Sequence, residues 1–230
     1  LRKEFGRKIR YRSADSVVNE MELLIDKYNL KTIYFNDDTF LTNKKRAVEI
    51  CEKIRKRGIN NKIVWMIQTN VKTIDEDIAA VLKRSGCIYI SFGVESGNNY
   101  ILQQVLRKNQ TVVQIKKSFE ICHKVGLLTG ASLIIGSPGD TKDTIRDTVK
   151  LVEQIKPDSI DTHFLTPTPG SDLYDKYLEM GILDYKKWAD PDRYTPGLVK
   201  LNGLTEKDLK GLYEEVQRAY FEGKSMFRFN

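Results

Sequence analysis

The chain has 230 residues, 40% of them hydrophobic, and 38 Lys and Arg against 31 Asp and Glu give a formal net charge of +7. It can therefore bury a large core and fits one α/β barrel-like domain better than two small ones. No apolar run approaches membrane-spanning length, and the charged first dozen residues do not make a signal peptide.

A basic start (Arg2, Lys3, Arg7, Lys8, Arg10 and Arg12) comes first. Without a nucleic-acid module beside it, this run reads as a solvated face. Ser13 then reads as the N-cap of an amphipathic helix on which Val17, Met21, Leu24 and Tyr28 recur at helical spacing. Strand signals follow at Thr32 to Phe35, Ile63 to Ile67, Cys87 to Gly93, Leu128 to Ile135 and Ser159 to Leu165. Helical signals fill the gaps. Ala47, Ile50 and Ile54 mark one helix, Thr73 with Glu76 and Thr111 with Gln114 read as capping boxes for two more, and Ile145, Val149 and Val152 mark a fourth. A short helix near Leu173 to Tyr177 precedes an irregular stretch from Trp188 to Gly203. A last helix over Thr205 to Phe221 carries Leu209, Leu212, Val216 and Tyr220 on one face. Strands that alternate with helices imply parallel pairing through right-handed crossovers, and five such strands make an open or partial barrel. The expected division is a barrel over 1–182 with a C-terminal loop and helix, 183–230, packed on it.

Cys51, Cys87 and Cys122 lie far apart without paired metal-ligand spacing, which argues against a zinc site and a disulfide framework. They read as buried thiols, and a soluble, reducing, cytoplasmic setting is expected.

Polar or glycine-rich residues follow every strand: Asn36-Asp37-Asp38-Thr39, Gln68-Thr69-Asn70, Glu95-Ser96-Gly97, Gly136-Ser137-Pro138-Gly139-Asp140, and Thr166 to Gly170. Each cluster alone has an ordinary explanation as a turn, cap or strand stop. In a parallel barrel all five converge on one rim, which favours a ligand site. Glu95 stands out because an apolar strand delivers a carboxylate at its end, where it could accept paired hydrogen bonds from ribose hydroxyls. Of the two histidines, His123 reads as a helix residue, whereas His163 on the last strand could point into the barrel. An alternative groups Asp37, Asp38 and Glu95 as a magnesium site in a phosphate-processing barrel.

Tyr34 to Phe40, Ile90 to Gly97, Ile135 to Thr141 and Thr166 to Ser171 together resemble, in order and spacing, the radical S-adenosylmethionine (radical SAM) enzymes. The similarity is greatest to the subgroup that often carries an upstream cobalamin-binding domain and includes the anaerobic magnesium-protoporphyrin ester cyclases. The resemblance implies a partial (β/α)6 barrel with a C-terminal helical cap. In it a [4Fe-4S] cluster reduces bound S-adenosylmethionine to give a 5′-deoxyadenosyl radical that abstracts hydrogen from a small-molecule substrate. Carried over by position, Asn36, Asp37 and Asp38 would contact the methionine amino group, and Glu95 and Ser96 the ribose. Ile134 to Gly136 would flank adenine, Gln68 and Asn70 would face the methionine part or the substrate, and Thr166 is a further cofactor contact.

One element of the family pattern is missing from this sequence: the CxxxCxxC loop whose three cysteines hold the cluster. Phe5 to Ser13 resembles the segment that follows the third cysteine. The chain begins at Leu1, so the expectation is a core lacking the cluster loop and the first strand. Such a core would be catalytically inactive alone, would retain weak S-adenosylmethionine binding at most, and would be inclined to self-associate through an exposed strand edge. A cluster-free barrel acting as a binding or scaffold module is the alternative from another class. No nucleic-acid or membrane partner is expected.

Overall fold

The computed structural model describes residues 9–184 and 196–225. Arg2, Lys3, Arg7, Lys8 and the first part of the Trp188 to Gly203 stretch lie outside those residues. Five strands, β1 (Thr32–Phe35), β2 (Val64–Thr69), β3 (Cys87–Glu95), β4 (Leu128–Ile135) and β5 (Ser159–Phe164), form one parallel sheet in sequential order. The sheet curls into a half-barrel. Its helices are α1 (Ala14–Tyr28), α2 (Lys44–Lys56), α3 (Glu76–Arg84), α4 (Val112–Lys124), α5 (Lys142–Ile155), α6 (Asp172–Glu179) and α7 (Glu206–Ser225).

The strands bury alternate residues on the convex side. On β2 these are Trp65, Ile67 and Thr69, and on β3 they are Ile90, Phe92 and Val94, all covered by helices. The intervening residues, Gln68 on β2, Ser91 and Gly93 on β3 and Ser132 on β4, share the concave face, because parallel register places Gln68 beside Ser91 and Gly93 beside Ser132. Removing the convex side chains from water is the main stabilising term, roughly 1.5–3 kcal/mol for each fully buried large side chain. Tyr89 lies across Gly130 to bond Ser159 Oγ at 2.8 Å, and a Cβ at Gly130 would overlap its hydroxyl. This pair lies on the same concave surface, below the residues that line the cleft described next.

Helix boundaries follow their caps. Ser13, Asn43, Thr111, Thr141 and Ser171 each accept a backbone N–H in the first turn of a helix. The Thr111–Gln114 capping box is present. The one expected at Thr73 and Glu76 is not: Asp75 caps α3 by accepting from Ile78 N at 2.9 Å, while Thr73 bonds Asn70 O and Thr69. Asp75 prevails because it is nearer the first turn and its ion pair with Lys44 holds the carboxyl below its usual range. Strand β2 starts and ends later than expected. Ile63 N is drawn back to Ile59 O in a short turn, and Gln68 and Thr69 still pair with β3. Tyr28, expected on the apolar stripe of α1, is exposed; the stripe runs Ala14, Val17, Val18, Met21 and Ile25.

Helix α7 joins the convex layer beside α5 and over β5. Val216 is fully buried, Tyr213 packs on Phe164 with centroids 5.5 Å apart, and Tyr220 Oη donates to Asp158 O at 2.8 Å. Ion pairs from Lys142 to Asp208 and from Arg146 to Glu215 line the α5–α7 contact. At the other end of the sheet, no strand pairs with the outer edge of β1 among the described residues. A groove of about 360 Å³ runs there between β1, α1 and the Arg10–Arg12 segment.

Candidate functional site

The C-terminal ends of β1 to β4 surround a polar cleft of about 220 Å³, lined by Asp38, Gln68, Asn70, Glu95 and Lys108 with Ser91, Gly93 and Ser132 beneath. Crossovers that always return to the same end place these chain-distant groups together.

Glu95 is the most constrained member. Its backbone adopts φ +67°, in the left-handed region that costs a side-chain-bearing residue roughly 1–2 kcal/mol. Ser96 N bonds back to Val94 O at 2.9 Å, closing a three-residue turn on Glu95, and the β3–β4 register slips between Gly93 and Glu95. The turn swings a carboxylate that is only 9% exposed into the cleft, where Lys108 pairs with it. Gly93 makes room for this pair: a Cβ there would sit 2.7 Å from Glu95 Oε1. Gln110, 1% exposed, braces the turn by donating to Gly93 O at 2.9 Å and Val94 O at 3.1 Å, while its Oε1 accepts from Asn70.

The next loop is held against α5. Gly97 N donates to Thr148 Oγ1 at 2.8 Å and Asn98 Nδ2 to Asp147 Oδ2 at 2.8 Å. After β4, Asp140 accepts from Gly136 N, Ser137 N and the Thr144 hydroxyl while only 5% exposed. Burial pushes its carboxyl up to about 6 against those hydrogen bonds.

Of the expected site residues, Asp38, Gln68, Asn70 and Glu95 meet in the cleft. Asn36 and Asp37 line the separate groove at the β1 edge. Because Asp37 is parted from Asp38 and Glu95, the three-carboxylate magnesium site is not formed, and no metal-competent group of three or more His, Cys, Asp or Glu occurs among the described residues. Ser96 Oγ accepts from Asn98 N, the Thr166 hydroxyl donates to Phe164 O, and Ile134 packs against an apolar cluster with Leu165 and Tyr177. Gly136 has φ +82°, and the space a Cβ would take is bounded by Leu201 and Leu209. Lys108, Gln110, Ser91, Gly93 and Ser132 were not anticipated. Alternation of small polar residues along β3 and β4 signals the last three, whereas a single loop lysine in a chain rich in lysine carries no signal.

The cleft's donor set suits an amino-acid nucleoside. Carboxylates at Asp38 and Glu95 accept from an ammonium group or ribose hydroxyls, Lys108 meets a carboxylate, and Gln68 and Asn70 offer both donors and acceptors. A thiolate-held cluster has no such fit among these residues. Cys51, Cys87 and Cys122 are buried on α2, at the start of β3 and on α4. Burial pushes their thiols up, to about 11 for Cys51 and about 12 for Cys122, so each is held in the protonated form that binds iron poorly.

The Radical SAM superfamily model matches residues 2–152. An uncharacterized methyltransferase of Pyrococcus horikoshii is 30% identical over 95% of this chain and 47% of its own length. The anaerobic magnesium-protoporphyrin IX monomethyl ester cyclase of Cereibacter sphaeroides is 26% identical over 98% of this chain and 37% of its own length. The chain thus spans less than half the length of these relatives. In structure it is similar to the radical S-adenosylmethionine methyltransferase TsrM of Kitasatospora setae, solved with cobalamin and a [4Fe-4S] cluster bound. The TM-score is 0.67 and the identity 21%, over 76% of this chain and 34% of that one.

Proposed function

This chain belongs to the radical SAM superfamily, and on that premise we propose that its polar cleft binds S-adenosylmethionine in an enzyme of the methyltransferase or cyclase type acting on a small molecule. A [4Fe-4S] cluster with S-adenosylmethionine supplies, in this superfamily, a 5′-deoxyadenosyl radical. In the proposal Glu95 accepts the ribose hydroxyls, Asp38 the methionine ammonium, and Lys108 moves from Glu95 to the cofactor's carboxylate. Gln68 and Asn70 flank the methionine part. Gln110 and Gly93 hold Glu95 at its angle. Ser96, Gly136 and Thr166 support the cleft from the neighbouring turns, Ile134 from β4, and Asn36 and Asp37 from the β1 end. The sequence carries no CxxxCxxC loop, so the chain alone binds the cofactor without cleaving it. Relatives that carry cobalamin support a cobalamin partner as part of the same proposal.

The observation that carries the reading is the strained, buried Glu95 aimed into a cleft of matching polarity. Calorimetric titration of the chain with S-adenosylmethionine tests it. Binding is expected, with affinity at least tenfold weaker in Glu95→Gln and in Lys108→Met. No heat with the unaltered chain, or affinity in both variants equal to that of the unaltered chain, would sink the assignment.

A further inference from the structure

The concave face continues beyond the cleft onto β5, where it carries two ionisable side chains that cofactor binding does not use. Asp161 and His163 are two residues apart on one strand, so both project to the same side. Register identifies that side: Asp161 lies beside Ser132, and Ser132 beside Gly93, both of which line the cleft. Thr162 and Phe164 between and after them are buried on the convex side, with Phe164 against Tyr213 of α7. His163 Nε2 lies 2.9 Å from Asp161 Oδ2. The imidazole side chain is 15% exposed and the carboxylate side chain 56%. The ring therefore acts as the brace, and the carboxylate is the end presented to a ligand. Ile134, the half-buried register partner of His163, adds an apolar wall and is backed by the buried cluster of Leu165, Tyr177 and Val199. A braced carboxylate beside an apolar wall selects a positively charged nitrogen carried on an apolar body, because the charge-assisted hydrogen bond and the burial act together.

We propose that Asp161 anchors a protonated nitrogen of the molecule that reacts beside the cofactor, with His163 as the positioning residue; this rests on the cleft being the S-adenosylmethionine site. The pair sits one strand from the cleft, so a ligand held by Asp161 lies alongside the cofactor and does not displace it. The substrate class is then an amine or a basic heterocycle with an apolar frame.

The test uses the full chain labelled at its two histidines, saturated with S-adenosylhomocysteine and titrated by NMR with phenethylamine or, as the anionic counterpart, 3-phenylpropionate. Phenethylamine is expected to bind and to move the His163 ring resonances while leaving those of His123. Its affinity should fall at least fivefold in Asp161→Asn and be retained in Asp161→Glu, with 3-phenylpropionate binding at least fivefold more weakly than the amine. His163→Gln, which keeps a donor toward the carboxylate, should lose about twofold. Unchanged affinity in Asp161→Asn, equal binding of the two probes, no binding of the amine, or binding without movement of the His163 signals would each overturn the proposal. If S-adenosylhomocysteine itself fails to bind, the cofactor reading fails. Phenethylamine titrated alone still decides the role of Asp161.

Discussion

Asp140 shows how one buried side chain sets the shape of the loop after β4 at a cost. Its Oδ2 accepts from Gly136 N and Ser137 N, and its Oδ1 from the Thr144 hydroxyl, all in a site that disfavours charge. The folded protein holds this proton up to about pH 6, whereas an unfolded aspartate releases it near 3.8. The group's contribution to stability is therefore greatest below the unfolded value and is lost as pH rises through 6. Two pKa units correspond to about 3 kcal/mol. In Asp140→Asn the remaining oxygen still accepts both backbone N–H groups. The new amide can donate to Thr144 Oγ1, whose own hydrogen turns to Thr141 O, 3.1 Å away. The variant is expected to melt higher than the parent at pH 7 and to lose the stability gained on acidification from pH 6 to pH 4, as thermal denaturation across pH would show. The Asp itself was visible in the sequence as part of Gly136 to Asp140. Its role was not, since nothing in a Pro-Gly-Asp run says whether the carboxylate faces a ligand or its own backbone.

Among the elements, the connection from β3 to α4, which packs against α5, is tightly constrained. Gly97 approaches α5 so closely that a Cβ would overlap the Asp147 carbonyl, a backbone atom that cannot swing aside. Gly211, in α7, has no atom within 4 Å of the corresponding position. Gly97→Ala should thus cost about 3 kcal/mol, a drop of roughly 6–12 °C in melting temperature by circular dichroism. Gly211→Ala should raise it slightly, since alanine is the better helix former by about 1 kcal/mol. Strand existence and order were legible because apolar alternation and caps are local: β1 and β4 match their expected spans, and the Thr111 box forms as read. The Thr73 box failed because two candidate caps lay within three residues, and Asp75, nearer the first turn, is also held by a contact with Lys44, far along the chain. The cleft was half legible for the same reason. Asp38, Gln68, Asn70 and Glu95 follow strands directly, while Lys108 and Gln110 return to the cleft from a loop whose path depends on tertiary packing.

At the scale of the molecule, β1 is the outermost strand of the sheet among the described residues, and beside it runs a groove lined by Ile33, Val17 and Met21. Such an edge templates pairing with another extended segment. Light scattering should find the chain associating as concentration rises, and Ile33→Lys, which places a charge in the groove, should shift it toward monomer. A monomer at high concentration would count against this. The formal charge of +7 spreads a weak positive field over the whole surface, yet the cleft has its own neutralised pair, Glu95 with Lys108. Under the proposed function, ligand capture is an exchange: the lysine leaves one carboxylate for another, and the vacated glutamate receives hydroxyl groups in its place. Lys108 keeps one ion-pair partner throughout and Asp38 gains one in the ligand's ammonium, so added salt, which weakens attraction by screening, acts on a single new pair in the cleft. On the same reading the hydroxyl groups are held by hydrogen-bond geometry at Glu95, which the strained turn fixes before any ligand arrives.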